Sequence, residues 1–145
     1  MSETSKAMIR RLFDECLNGH KSDIYDEFYS DVVCRAPVMG DLRGNEHRQF
    51  LISILIGFPD ARWTIEDQIA ENDKVVTRWT FTGSHSATFL GIEASHKELH
   101  LAGLCVDRIA GGKIVEEWQE WDTLGMMQQL GALPLEQSIG DMVAP

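Results

Sequence analysis

Basic residues are scarce in this chain: 13 lysines and arginines stand against 23 aspartates and glutamates, a formal net charge of -10. A surface of that sign repels phosphate backbones, and no basic cluster overrules it, so nucleic acid is not an expected partner. A large anionic substrate is an uneasy fit as well, unless Arg35, Arg78 or a histidine meets it locally. Cysteine is rare too. The three present, Cys16, Cys34 and Cys105, are widely spaced, form no CxxC and pair with no histidine at metal-ligand spacing. They read as small core residues, and neither a metal nor a cofactor is expected. No apolar run approaches the roughly 20 residues that span a bilayer, and the polar start MSETSK is no signal peptide. The simplest expectation is a cytoplasmic protein with no membrane partner. Repeats, low-complexity segments and nucleotide-binding glycine motifs are missing, and GIEASH at 91–96 is not a P-loop.

What is present fits one domain over 1–145, since 145 residues at 43% hydrophobic content can bury a real core. Residues 138–145 read as a loose tail or an arm onto a partner subunit. Met8, Ile9, Leu12, Phe13, Cys16 and Leu17 recur at three and four positions, predicting a helix over 5–17 that stops at Gly19. A shorter helix follows, with Ser22 and Asp23 as caps and Ile24, Tyr25, Phe28 and Tyr29 as its apolar face. The hydroxyl of Tyr25 or Tyr29 is a candidate ligand contact. Over 31–37 a short strand places Val33 and Arg35 on one side and Val32, Cys34 and Ala36 on the other. A loop over 38–44 leads to Asn45, a cap for a helix carrying Phe50, Leu51, Ile54 and Leu55.

Beyond Pro59 the pattern turns to strands. Over 62–70 Trp63, Ile65, Asp67 and Ile69 share a side, and over 74–85 Val75, Thr77, Trp79 and Phe81 share one with His85, opposite Arg78. A loop over 86–96 precedes a strand over 97–109 with His100, Ala102, Leu104, Val106 and Arg108 on one side. Gly111-Gly112 then forms a hairpin turn into KIVEEWQEWD. Alternation puts Ile114, Glu116, Trp118, Glu120 and Asp122 on one face, with Val115, Glu117, Gln119 and Trp121 on the other. If the first face lines a cavity, the carboxylate nearest Trp118 is poorly hydrated, its pKa rises, and it can exchange protons near neutral pH. Asp122 equally suits the N-cap of a helix over 123–130. Helices followed by long antiparallel strands make an α+β domain.

FPD at 58–60, VVTRWTFTGSH at 75–85, FLGI at 89–92, DRIAGGKIVEEWQEWD at 107–122 and MMQQLGALP at 126–134 follow one another in an order that resembles the SnoaL-like polyketide cyclases of the NTF2-like group. The resemblance implies a cone-shaped fold, a bent antiparallel sheet around an apolar pocket closed by the N-terminal helices. It implies an intramolecular aldol condensation of an aromatic polyketide-type substrate, without metal or cofactor, with an aspartate as acid/base. Matching along the KIVEEW segment places that aspartate on Asp122, with Glu120 and His85 as further acid/base candidates. Trp79, Trp118, Trp63, Tyr29 and His100 become candidate substrate contacts. Arg35, a further candidate substrate contact, stands where relatives often have histidine. Other readings on the same scaffold are an epoxide hydrolase, a hydroxylation-associated protein and a non-catalytic small-molecule-binding module. A homo-oligomer is expected, because a sheet face carrying Trp121 needs cover.

Overall fold

The structure, a computed structural model, describes residues 2–133; the 138–145 tail lies outside them. The amphipathic N-terminal stretch forms α1 (Ser2–Arg11), which widens into π-helical turns over Leu12–Leu17. These turns bury Leu12, Phe13, Cys16 and Leu17. A 3-10 segment over Ser22–Glu27 leads into β1 (Tyr29–Ala36). Two expectations change here. The 38–44 loop contains a short strand, β2 (Gly40–Arg43), paired antiparallel to β1. Asn45 lies inside α2 (Asn45–Gly57) rather than capping it; the N-cap is Gly44, at φ 53°, a conformation open to glycine.

Strands β3 (Arg62–Glu71), β4 (Lys74–Ser84), β5 (Glu98–Ala110) and β6 (Lys113–Trp121) follow, and α3 (Thr123–Gln129) ends the described fold. They form one curved six-stranded sheet in the order β2-β1-β6-β5-β4-β3. All neighbours are antiparallel except β1 and β6, which run parallel, so the expected all-antiparallel sheet is a mixed one. The α+β expectation holds, with helices on the concave face. Ile9, Leu12 and Phe13 from the N-terminal helix, Phe58 after α2, and Val75, Trp79 and Phe81 from β4 join one buried cluster.

Three interruptions of the pleat decide which side chains point inward. In β3 the register runs from Ile65↔Trp79 to Asp67↔Arg78, which leaves Glu66 as an extra residue, so Ile69, expected to share a side with Trp63, is 61% exposed while Trp63 is buried. In β6 the register runs from Arg108↔Glu116 to Ile109↔Ile114, which leaves Val115 as an extra residue. Ile114 and Glu117, three positions apart, are therefore both buried. In β1 the register shifts between Tyr29 and Val33, with Asp31 at φ 43°. Tyr29 and Val32 consequently both face the core.

Gly103 is fixed by a close approach. It pairs with Trp79 across β4 and β5, and a Cβ there would fall 2.2 Å from the indole Cζ2. Gly103→Ala should destabilise the fold by about 1–3 kcal/mol, because a buried ring must move. The urea midpoint checks this, and an unchanged midpoint would show that Trp79 yields freely.

Candidate active site

A hollow opens between the π-helical turns, α2 and the concave face of the sheet. It holds a cavity of about 80 Å³, and its atom-free space, mouth included, is about 800 Å³. Its walls are mostly apolar and rich in aromatic rings, with Trp63, Trp79, Phe81, Phe50, Phe58 and Trp121 among them. Polar side chains on the wall include Tyr29, Cys34, His47, Cys105, Glu117 and Gln119. They come from β1, α2, β5 and β6, elements that only the fold brings together.

These groups belong to a buried chain of contacts. The Tyr25 hydroxyl lies 2.7 Å from His47 Nδ1, and His47 Nε2 lies 3.1 Å from Glu117 Oε1. The Cys34 thiol donates to the same Glu117 oxygen at 3.4 Å. Directly across the β5–β6 ladder from Glu117 stands Asp107, whose Oδ2 accepts from the Cys105 thiol at 3.6 Å. His47 and Asp107 are 1% exposed and Glu117 is 2% exposed, so water cannot screen any of them.

Two carboxyl groups this close and this dry do not both ionise. Burial drives the Asp107 carboxyl well above its ordinary pKa, and the Glu117 charge adds to the rise. Burial works against charge on Glu117 as well. Hydrogen bonds with Asp107, His47 and Gln119 outweigh it and hold Glu117 below the usual carboxylate range. The pair thus carries one proton, on Asp107, and one negative charge, on Glu117. Burial, with Glu117 next, also raises the Cys34 thiol and the Tyr29 phenol, which stay neutral. Gln119 Oε1 is buried and has no hydrogen-bond partner among the described residues, which leaves it an acceptor for a bound hydroxyl.

The residues expected from the sequence divide between the two faces of the sheet. Trp63, Trp79 and Tyr29 line the hollow. Trp118 and Arg35 do not: the bulge at Val115 turns Glu116 and Trp118 to the outer face. There Arg35 lies over the Trp118 ring at 5.2 Å and bonds Glu116 at 2.9 Å, while Arg108 bonds Glu116 at 2.6 Å. Asp122, expected to look inward, is exposed and absent from the cavity wall; its Oδ1 accepts from the Gly125 amide at 2.8 Å as the N-cap of α3. Glu120 and His100 are exposed as well, and His100 bonds Glu98 at 3.2 Å. His85 is buried but outside the hollow. Its Nδ1 accepts from the Ser95 amide at 3.1 Å, and its ring stacks on Phe58 at 5.4 Å. Trp121, expected on an outer face, faces inward and stacks on Phe50 at 6.0 Å.

His47, Glu117, Asp107 and Gln119 were not among the sequence candidates. One signal for His47 was present: it sits at helical spacing with Phe50, Leu51 and Ile54, on the apolar stripe of α2.

Over residues 7–130 the chain matches the sequence profile described as SnoaL-like polyketide cyclase. Among solved structures, a candidate SnoaL-like polyketide cyclase from Jannaschia sp. CCS1 superposes with TM-score 0.83 at 23% identity, covering 92% of this chain and 95% of that one. TsrD from Streptomyces laurentii gives 0.80 at 26% identity, with 92% and 98% covered. AclR from Streptomyces galilaeus, a candidate hydroxylase, gives 0.81 at 22%, with 92% and 100% covered. No curated protein sequence matches significantly. The fold is therefore the cone-shaped NTF2-like one that the ordered segments implied, and with the profile spanning nearly all its described residues, the chain belongs to the SnoaL-like polyketide cyclase family.

Proposed function

We propose that this chain closes a ring in an aromatic polyketide-type substrate by intramolecular aldol condensation, with Glu117 and His47, rather than Asp122, as the acid/base pair. The observation that carries this reading is a buried carboxylate on the wall of an aromatic-lined hollow, bonded to a histidine and paired across the ladder with a second buried carboxyl group. In such a closure a base takes a proton from the carbon beside a carbonyl, the enolate carbon bonds to a second carbonyl carbon, and the alkoxide formed there takes a proton. Electrons stay within the substrate, so the reaction demands no redox partner. Glu117 accepts the first proton and returns it to the alkoxide, with His47 steadying its charge meanwhile.

The same hydrogen bonds that keep Glu117 ionised make it a weak base. That restricts the substrate to one whose enolate is delocalised over an aromatic system, which a hollow lined by Trp63, Trp79 and Trp121 suits. Gln119 Oε1 then accepts from a phenolic or enolic hydroxyl.

A probe of matching chemistry is 2-tetralone, whose C1 hydrogens lie between a ketone and an aromatic ring. The protein in heavy water should speed deuterium entry at C1 saturably, as read by proton NMR. Exchange no faster than with free acetate at equal concentration would reject the reading. The homo-oligomer expectation stands on different residues from Trp121. Leu104 and Ile69, 43% and 61% exposed, lie on the outer face of the sheet.

A further inference from the structure

We propose that Cys34, His47 and Glu117 form a binding site for a soft divalent cation of the Zn2+ class, with a fourth position open to the hollow. One ligand atom from each of these side chains lies within 4.8 Å of the other two, and all three residues are buried. Donors sharing a tetrahedral zinc at about 2.0–2.3 Å stand about 3.5 Å apart. Here Cys34 Sγ and Glu117 Oε1 are 3.4 Å apart, and His47 Nε2 and Glu117 Oε1 are 3.1 Å apart. Only small side-chain movements separate the hydrogen-bonded arrangement from a coordinated one.

Thiolate, imidazole and carboxylate together are the donor set that zinc prefers over magnesium or calcium. The supporting contacts are also in place. His47 Nδ1 is oriented by the Tyr25 hydroxyl at 2.7 Å, and Glu117 is backed by Asp107 across the ladder. Binding releases the Cys34 proton to solvent, and a dication with one thiolate and one carboxylate is neutral, which suits an apolar surrounding. Spacing along the sequence hides this set, because Glu117 lies 70 positions from His47 and 83 from Cys34.

The proposal does not depend on the cyclase reading, since it needs only the three donors. Where both hold, an occupied site removes Glu117 and His47 from proton transfer, and micromolar Zn2+ inhibits.

Cobalt(II) is the probe. Titrated into the reduced full-length protein, Co2+ should give saturable visible bands of a tetrahedral ion at one equivalent, together with a near-ultraviolet thiolate charge-transfer band. Cys34→Ser should abolish the charge-transfer band, and His47→Ala should weaken binding by 10-fold or more, with folding checked by circular dichroism. Absence of a saturable charge-transfer band in the parent protein overturns the proposal even if a variant fails to fold. A band that survives in folded Cys34→Ser protein overturns it too, because the ion then sits elsewhere.

Discussion

Glu117→Gln should slow proton transfer from 2-tetralone by about 100-fold or more, the scale expected when an acid/base group is lost. Glutamine keeps the size of the side chain and an oxygen that can accept from His47 and Cys34, which contact Glu117 Oε1 at 3.1 and 3.4 Å. What disappears is the charge and the capacity to take a proton. Asp122→Asn is the matched comparison. Asp122 is exposed and its Oδ1 is taken by the Gly125 amide, so its replacement should leave exchange within a few-fold of the parent. Asp122→Ala should instead cost about 1 kcal/mol of stability as the cap is lost. The opposite pattern, with folded Glu117→Gln protein active and Asp122→Asn protein inactive, would return the acid/base role to Asp122.

Asp107→Asn should change how stability responds to pH. The native pKa of Asp107 is raised, while the unfolded chain releases that proton near pH 3.9. Its stabilisation is therefore complete below the unfolded value and is lost as pH climbs toward the native one, at up to about 1.4 kcal/mol per pH unit. Glu117 acts in the other direction. Its native pKa is lowered, so its contribution is present above about pH 4.3 and is lost as acid protonates the native state. Asparagine is neutral at every pH and can still donate toward Glu117. Urea unfolding followed upward from about pH 5 should show the Asp107→Asn protein gaining on the parent until the native Asp107 proton is released. Parallel curves would mean that Asp107 is ionised in the native state and that the pair does not share one proton.

Much of the architecture was legible because it rests on local signals. Gly111-Gly112 marked the β5–β6 turn, the order of elements gave the α+β class, and alternation along β4 put Trp79 and Phe81 on one side, where both line the hollow. The site was less legible, for reasons particular to each residue. Alternation along β6 sorted its side chains into two sets but could not say which set faces the helices, and the bulge at Val115 reversed the phase set by Ile114. Trp118 falls by parity on the face expected to line a cavity, yet Glu117, Gln119 and Trp121 hold that place, and Glu116 is ion-paired with Arg35 and Arg108 outside it. Asp107 carries no local mark of its role. Its burial depends on a carboxylate opposite it with which to share a proton, and that pairing exists only once the strands are in register. His85 was grouped with Trp79 by parity, but β4 ends at Ser84, and the His85 amide bonds the Lys97 carbonyl at 2.9 Å as the chain leaves the sheet toward the 86–96 loop.

The most direct test is a crystal structure with 2-naphthol, a stable mimic of the enol of 2-tetralone. Its ring should lie between Trp79 and Trp121, with the hydroxyl within hydrogen-bond reach of Glu117 or Gln119. A naphthol bound at Asp122, with the hollow closed by its own side chains, would contradict the account.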